Sequence, residues 1–251
     1  MASLKEMVSY MDSELRMAEI PDYPGAMNGL QLENSGSVEK VAAAVDASLP
    51  VIEKAIESGA NLLIVHHGMF WQGAQPLTKA FYRKIKLAMN ADLAIYSAHL
   101  PLDVHPEMGN NILLMRALGF EPDGTFLESK GIPIGLTATV SQTRSELHRL
   151  LEKALAGSVH VCPGGTGDIS RLGLVTGGAG SEVAICEAAG LDAFITGEGP
   201  HWSYPLAEEL GIDVFYGGHY ATETFGVRAL VERLRENFST ESCFVDHPTG
   251  L

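Results

Sequence analysis

Apolar residues recur at two different periods along this chain. From Ser3 to about Glu19, Leu4, Met7, Val8, Met11 and Leu15 fall three or four apart, and Ser3 with Glu6 has the spacing of a capping box, so the segment predicts an N-terminal helix. Pro21, Pro24 and Gly25 enforce a loop after it. From Val41 onward, short apolar runs alternate with amphipathic stretches of helix length. The pattern predicts strands near 41–46, 61–65, 92–97, 132–140, 171–176, 192–196, 212–216 and 243–246. Helices are expected near 49–58, 79–90, 109–118, 144–156, 182–189, 203–210 and 221–237. Glycines 59, 119, 190 and 211 stand where four of these helices should stop. Such a rhythm defines an α/β protein.

The chain also repeats itself. Gly59-Ala-Asn-Leu-Leu-Ile-Val-His-His-Gly68 aligns without gaps on Gly190-Leu-Asp-Ala-Phe-Ile-Thr-Gly-Glu-Gly199, which sets His67 opposite Glu198. Tyr96-Ser-Ala-His-Leu-Pro-Leu-Asp103 aligns on Tyr216-Gly-Gly-His-Tyr-Ala-Thr-Glu223, which sets His99 opposite His219 and Asp103 opposite Glu223. Chance similarity between strands does not bring metal-capable side chains into register twice. The expectation is therefore two related α/β lobes, residues 1–125 and 126–251, with a site between them.

Composition narrows the function classes. The formal charge of −14 repels phosphate backbones, and no Lys/Arg cluster marks a basic channel, which argues against nucleic acid as the main partner. No apolar run approaches the roughly 20 residues that cross a bilayer, and the N-terminus lacks a signal-peptide pattern, so the expected location is the cytoplasm. Three cysteines without CxxC spacing, Cys162, Cys186 and Cys243, read as reduced structural thiols.

The chemistry gathers at predicted strand ends, where α/β sheets hold ligands. His66 and His67 follow Leu62-Leu63-Ile64-Val65 and precede Gly68; on an extended backbone their rings diverge, so each can address its own ion. Asp103 lies just past another strand end, in His99-Leu-Pro-Leu-Asp103. His219 follows Gly217-Gly218, and Glu223 comes four residues later, so both share one face if the segment is helical. Three imidazoles and two carboxylates exceed the needs of a single catalytic zinc. Two divalent ions fit better, with Glu223 the best candidate to bridge them. Mixed nitrogen and oxygen ligands suit zinc, iron, manganese, nickel or cobalt and do not choose among them. Glu198 and His99 are candidate acid and base groups, while Asp46, His105, Asn110, His201 and Tyr220 are candidates to line the cavity. The run Gly177-Gly-Ala-Gly180-Ser181 before a predicted helix reads either as an anion cradle or as a tight packing turn. Cys162-Pro-Gly-Gly-Thr-Gly-Asp168 reads as a flexible loop, and His148 and His160 as ordinary surface or helix histidines.

His66-His67-Gly-Met-Phe-Trp, His99-Leu-Pro-Leu-Asp103-Val-His-Pro-Glu-Met-Gly-Asn-Asn111, Thr196-Gly-Glu198 and Gly218-His219-Tyr-Ala-Thr-Glu223 resemble the Nif-three-like family. Asn28-Gly-Leu-Gln31 and Val45-Asp46-Ala-Ser48 extend the resemblance over essentially the whole chain. Members are often labelled homologues of type 2 GTP cyclohydrolase I. The resemblance implies a dinuclear metal site on His66, His67, Asp103, His219 and Glu223, carried by two related lobes. It also implies a homo-oligomer, the ring-shaped hexamer of the family's short members, without the domain that longer members insert between the lobes.

Two functional readings follow. One is a metal-dependent hydrolase using a metal-activated water on a small molecule such as a nucleotide, as a cyclohydrolase or a phosphoesterase. The other is a scaffold or partner-binding protein whose ions fix its lobes without turnover.

Overall fold

A computed structural model describes residues 2–251. The chain divides into two units, Met1–Leu102 with Gly226–His247 and Asp103–Phe225 with Pro248–Leu251. The first contains β1 (Ala2–Ser3), α1 (Leu4–Glu14), β2 (Gly29–Leu32), β3 (Ser37–Val38), β4 (Lys40–Asp46), α2 (Leu49–Glu57), β5 (Leu62–His67), α3 (Lys79–Asn90) and β6 (Ala94–Ser97). The boundary falls within α4 (Leu100–Asp103). Next come α5 (Asn110–Ala117), β7 (Gly124–Ser129), β8 (Ile132–Thr143), α6 (Arg144–Leu155), β9 (His160–Pro163) and β10 (Asp168–Leu174). The second unit continues with α7 (Val183–Ala188), β11 (Ala193–Thr196), α8 (Ser203–Leu210), β12 (Asp213–Tyr216) and α9 (His219–Thr222). Helix α10 (Thr224–Phe238), from Gly226 on, and β13 (Glu241–Phe244) belong to the first unit.

The first unit is built on a five-stranded sheet ordered β13-β4-β5-β6-β2, in which β13, β4, β5 and β6 run parallel and β2 antiparallel. Strand periodicity decides what each face buries. Ala42, Ala44, Leu63, Val65 and Ile95 pack with Val51, Ile52 and Ala55 of α2 and Ala88 of α3. Leu62, Ile64 and Tyr96 point the other way and are equally buried, with the Tyr96 hydroxyl donating to Asp12 of α1 at 2.8 Å.

In the second unit a six-stranded sheet is ordered β7-β8-β10-β11-β12-β9, and β10, β11 and β12 are its parallel centre. Neighbouring residues again serve opposite cores. Ile195 and Phe215 join Leu147 and Leu151 of α6, whereas Phe194 and Val214 join Cys186 of α7 and Ala207 of α8. Glu146 and Thr143 complete a capping box at the start of α6.

The two sheets share a plan. In each, a helix leads into an antiparallel edge strand (α1 and β2; α6 and β9) and then three parallel strands with intervening helices, ending in a one-turn helix (α4; α9). The lobes are thus related. The ungapped alignment of the second repeat segment is nevertheless one residue out of register. Ala98 N donates to Val65 O, and Gly217 N donates to Thr196 O, which pairs Ala98 with Gly217 and His99 with Gly218 rather than with His219. The shift also matches the starts of α4 and α9.

Neither does the division fall at residue 125. Strand β13 hydrogen-bonds to β4, while Arg233 and Asn237 of α10 bond Glu14 and Tyr10 of α1, so the end of the chain completes the first sheet. Asp103 belongs to the second unit.

Glycines 59, 119, 190 and 211 all take positive φ, as helix-stopping residues do. Strands β1, β2, β3, β7 and β9 and the short helix α4 had no counterpart in the sequence pattern, and the helix expected from about 221 is split into α9 and α10. All three cysteines are free, and burial pushes the Cys162 and Cys186 thiols up to about 11 and about 12. Among the described residues no helix is long and apolar enough to cross a membrane.

Candidate metal centre

In the first unit, three imidazoles meet at the carboxyl ends of the parallel strands. His66 and His67 end β5, and His99 follows β6; the two adjacent rings converge rather than diverge as an extended backbone alone would suggest. The three ring centroids lie 4.8, 4.9 and 5.7 Å apart, and one ring nitrogen from each falls within 4.8 Å of the others.

Each ring is held through Nδ1. His66 Nδ1 lies 2.9 Å from Ala98 O, His67 Nδ1 lies 2.9 Å from Asp46 Oδ1, and His99 Nδ1 lies 2.9 Å from Asp22 Oδ1. These partners only accept, so a neutral ring carries its proton on Nδ1 and its lone pair on Nε2. A carbonyl or carboxylate behind the imidazole is what orients metal-ligating histidines. These three residues therefore have the chemistry to hold a metal ion. Asp46 sits directly across from His67 in the β4–β5 register, so the sheet itself sets that pair.

The loop carrying Asp22 and Asn28 completes this part. Asp22 also accepts from Leu100 N at 2.9 Å and Asn28 Nδ2 at 2.7 Å, while Asn28 Oδ1 accepts from His99 N. Burial works against the Asp22 charge, but hydrogen bonds and the proximity of His99 prevail and hold its carboxyl below the usual range. Gln31 closes the turn after β5 by accepting from Met69 N at 2.7 Å, and a Cβ at Gly68 would strike its side-chain amide at 2.2 Å. Trp71 packs edge-on against His99 and His67, with centroids 4.7 and 5.5 Å away.

Asp22→Asn should weaken the charge-assisted bonds that the carboxylate accepts from Tyr23 N, Asn28 Nδ2, His99 Nδ1 and Leu100 N. The expected cost is about 2 kcal/mol, seen as a melting temperature lowered by roughly 4–8 °C. An unchanged melting temperature would mean that Asp22 does not hold this loop.

The second unit contributes a histidine between two carboxylates. His219 begins α9, and Glu223 is the residue that caps it, so the i to i+4 relation arises at a junction before α10 rather than within a long helix. His219 Nδ1 lies 2.8 Å from Glu198 Oε1, and its Nε2 lies 3.1 Å from Glu223 Oε2. Burial disfavours a charged ring, yet the hydrogen bonds and charges of Glu223 and Glu198 outweigh it and push the His219 pKa up to about 9. The place is made for positive charge, which a proton satisfies in the metal-free protein.

Glycine lets the chain approach this group. Gly177 has φ +71°, and a Cβ there would stand 2.2 Å from Glu223 Oε1 and 3.4 Å from His219 Nε2. The Gly177 to Ser181 run is thus a packing turn. Its amides at Gly177, Ala179 and Gly180 donate to Thr222, Thr196 and Glu198, and the helix that follows is only six residues long. Asp103 is buried, with Asn110 Nδ2 donating to its Oδ1 at 2.8 Å. Thr176, immediately before Gly177, is within 3.5 Å of the same oxygen and is itself held by Asn111.

The secondary candidates separate by task. Asp46 orients His67, and Asn110 orients Asp103. His105 Nδ1 accepts from Glu107 N and Met108 N, which makes it a turn cap, and the Tyr220 amide donates to Leu251 O. Sequence reasoning missed Asp22, for which a single aspartate in a proline-bounded loop offers no signal. His160, read as an ordinary surface or helix histidine, is exposed as expected but lies on a strand, β9, and lines a cavity.

Two α/β sheets of common plan, each gathering imidazoles or carboxylates at the ends of its parallel strands, define a metal-capable two-lobed class. Residues 2–249 match the family Duf34/NIF3 (NGG1p interacting factor 3), and the chain belongs to it. It is 41% identical to a GTP cyclohydrolase 1 type 2 homolog of Pyrococcus abyssi over 98% of this chain and 99% of that protein. A protein of the same name from Deinococcus radiodurans is 38% identical over 98% of this chain and 94% of its own length. The solved structure of protein ybgI, described as of unknown function, has a TM-score of 0.92 and 34% identity, with both chains fully covered.

Proposed function

We propose that this protein binds two divalent metal ions through His66, His67, Asp103, His219 and Glu223 and uses them to hydrolyse a small molecule, a nucleotide in the cyclohydrolase reading. The observation that supports it best is the orientation of the imidazoles. Nδ1 of His66 and His67 each faces an acceptor, which leaves Nε2 as the atom available to a ligand, and His219 is held by Glu198 through Nδ1 with its Nε2 toward Glu223, a second proposed ligand. When bound, such ions would polarise a substrate and lower the pKa of a bound water to about 7.

The chain's own residues divide the remaining work. Asp46 and Glu198 fix His67 and His219, and Asn110 fixes Asp103. His99, backed by Asp22, and Glu198 are the groups positioned to take up or release a proton beside the ligands. Under this reading the chain works as a homo-oligomer, the toroidal hexamer implied by resemblance.

The experiment is a hydrolysis screen of metal-reconstituted protein against nucleotides, cyclic amidines and phosphoesters, with His67→Ala as control. Turnover that disappears in His67→Ala is expected. A metal-loaded protein that turns over none of these classes would leave the non-catalytic scaffold as the better reading.

A further inference from the structure

We propose that a cavity within the second unit receives the planar, N–H-bearing heterocycle of the substrate and presents it to Glu198. The cavity has a volume of about 710 Å³ and lies where β11 and β12 end, bounded by β9 and the start of α8. That volume lies in the range of small-molecule sites. The proposal rests on the preceding reading of His219 and Glu198 as part of the metal site.

Three rings form one wall. His160 and Tyr216 are directly opposed residues of the antiparallel β9–β12 pair, and their rings lie nearly parallel, 28° apart, with centroids separated by 6.1 Å. Tyr204, in the first turn of α8, comes within 5.8 Å of the same imidazole. Flat aromatic walls of this kind hold heterocyclic bases by stacking and tolerate the identity of the ring. The Tyr216 hydroxyl is fixed by Ser203 Oγ at 2.7 Å, so the wall is held in place before a ligand arrives.

Polar groups along the lining decide which ring fits. Glu198 is half-exposed to the cavity, and although its Oε1 takes the His219 N–H, a carboxylate has about four acceptor positions. It is the anionic side chain among the lining residues, which include no Lys or Arg. The site therefore favours a ring edge with adjacent N–H donors, as in guanine or a pterin, over a phosphate chain, which would meet the Glu198 carboxylate with no Lys or Arg to offset the repulsion. A ring held here touches the carboxylate that orients His219, which places it at the edge of the metal ligands of this unit.

The test is calorimetric titration of the full-length protein with guanosine, 1-methylguanosine and inorganic triphosphate, in metal-loaded and chelator-treated samples whose metal content is measured. Guanosine is expected to bind in both samples. Methylating N1 blocks the donor edge and should weaken binding about tenfold or more, and triphosphate should not compete. His160→Ala and Tyr204→Leu should each weaken guanosine about tenfold. His160 is exposed, so its substitution leaves folding unaffected, and circular dichroism checks Tyr204→Leu. Absence of guanosine binding in both samples, equal affinity in the His160→Ala variant, or displacement by triphosphate would each overturn the proposal. Metal content judges the metal site separately: guanosine binding without metal uptake would sink the metal reading alone.

Discussion

Glu223→Gln should lose the second metal ion while keeping its fold. Glu223 is buried and contacts His219, and in the proposed centre it would be the carboxylate that bridges the ions. Two dications about 4 Å apart repel by roughly 16 kcal/mol at an effective dielectric of about 20, four times the figure for unit charges. An anionic bridge offsets much of that repulsion, and a neutral amide of the same size does not. Packing should survive because the shape is retained. Calorimetric metal titration should fall from two ions to one, with affinity for the second weakened at least about 100-fold. Circular dichroism should be unchanged. If Glu223→Gln binds two ions as tightly as the parent, Asp103 or a water must be the bridge.

Gly177→Ala should damage the same centre from behind. The added Cβ would enter a backbone at φ +71°, costing about 1–2 kcal/mol. It would also stand 2.2 Å from Glu223 Oε1, so the carboxylate must move. Metal affinity should fall on the order of 10–100-fold, as when a ligand loses its support. Gly190→Ala is the control, because Gly190 has φ +73° with nothing within 4 Å of the added carbon. It shares the backbone strain without the collision. Equal loss of metal affinity in both variants would show that strain, and not displacement of Glu223, is responsible.

What the sequence conveyed follows the range of each signal. Continuous apolar runs such as Leu62 to Val65 and Phe194 with Ile195 reported strands buried on both faces, and helix-stopping glycines reported where segments end. Strands β2 and β9 escaped because edge strands need little apolar character, and β9 is largely His, Cys and Pro. Partnership is non-local, so nothing near Glu241 to Phe244 told that β13 would pair with β4.

The candidate site divides in the same way. Adjacent histidines after an apolar run, and a histidine after two glycines with a glutamate four residues on, are visible because strand ends and i to i+4 spacing are local geometry. Asp22 stands 77 residues from His99, and only the folded chain brings them together. The one-residue slip between the repeats was hidden because the ungapped alignment matches residue types, while backbone pairing alone sets register.

Metal content of the parent protein tests the central claim most directly. Elemental analysis after reconstitution with a divalent metal and removal of excess should find close to two ions per chain. A stoichiometry that stays at or below one ion per chain at saturating metal would contradict the dinuclear centre.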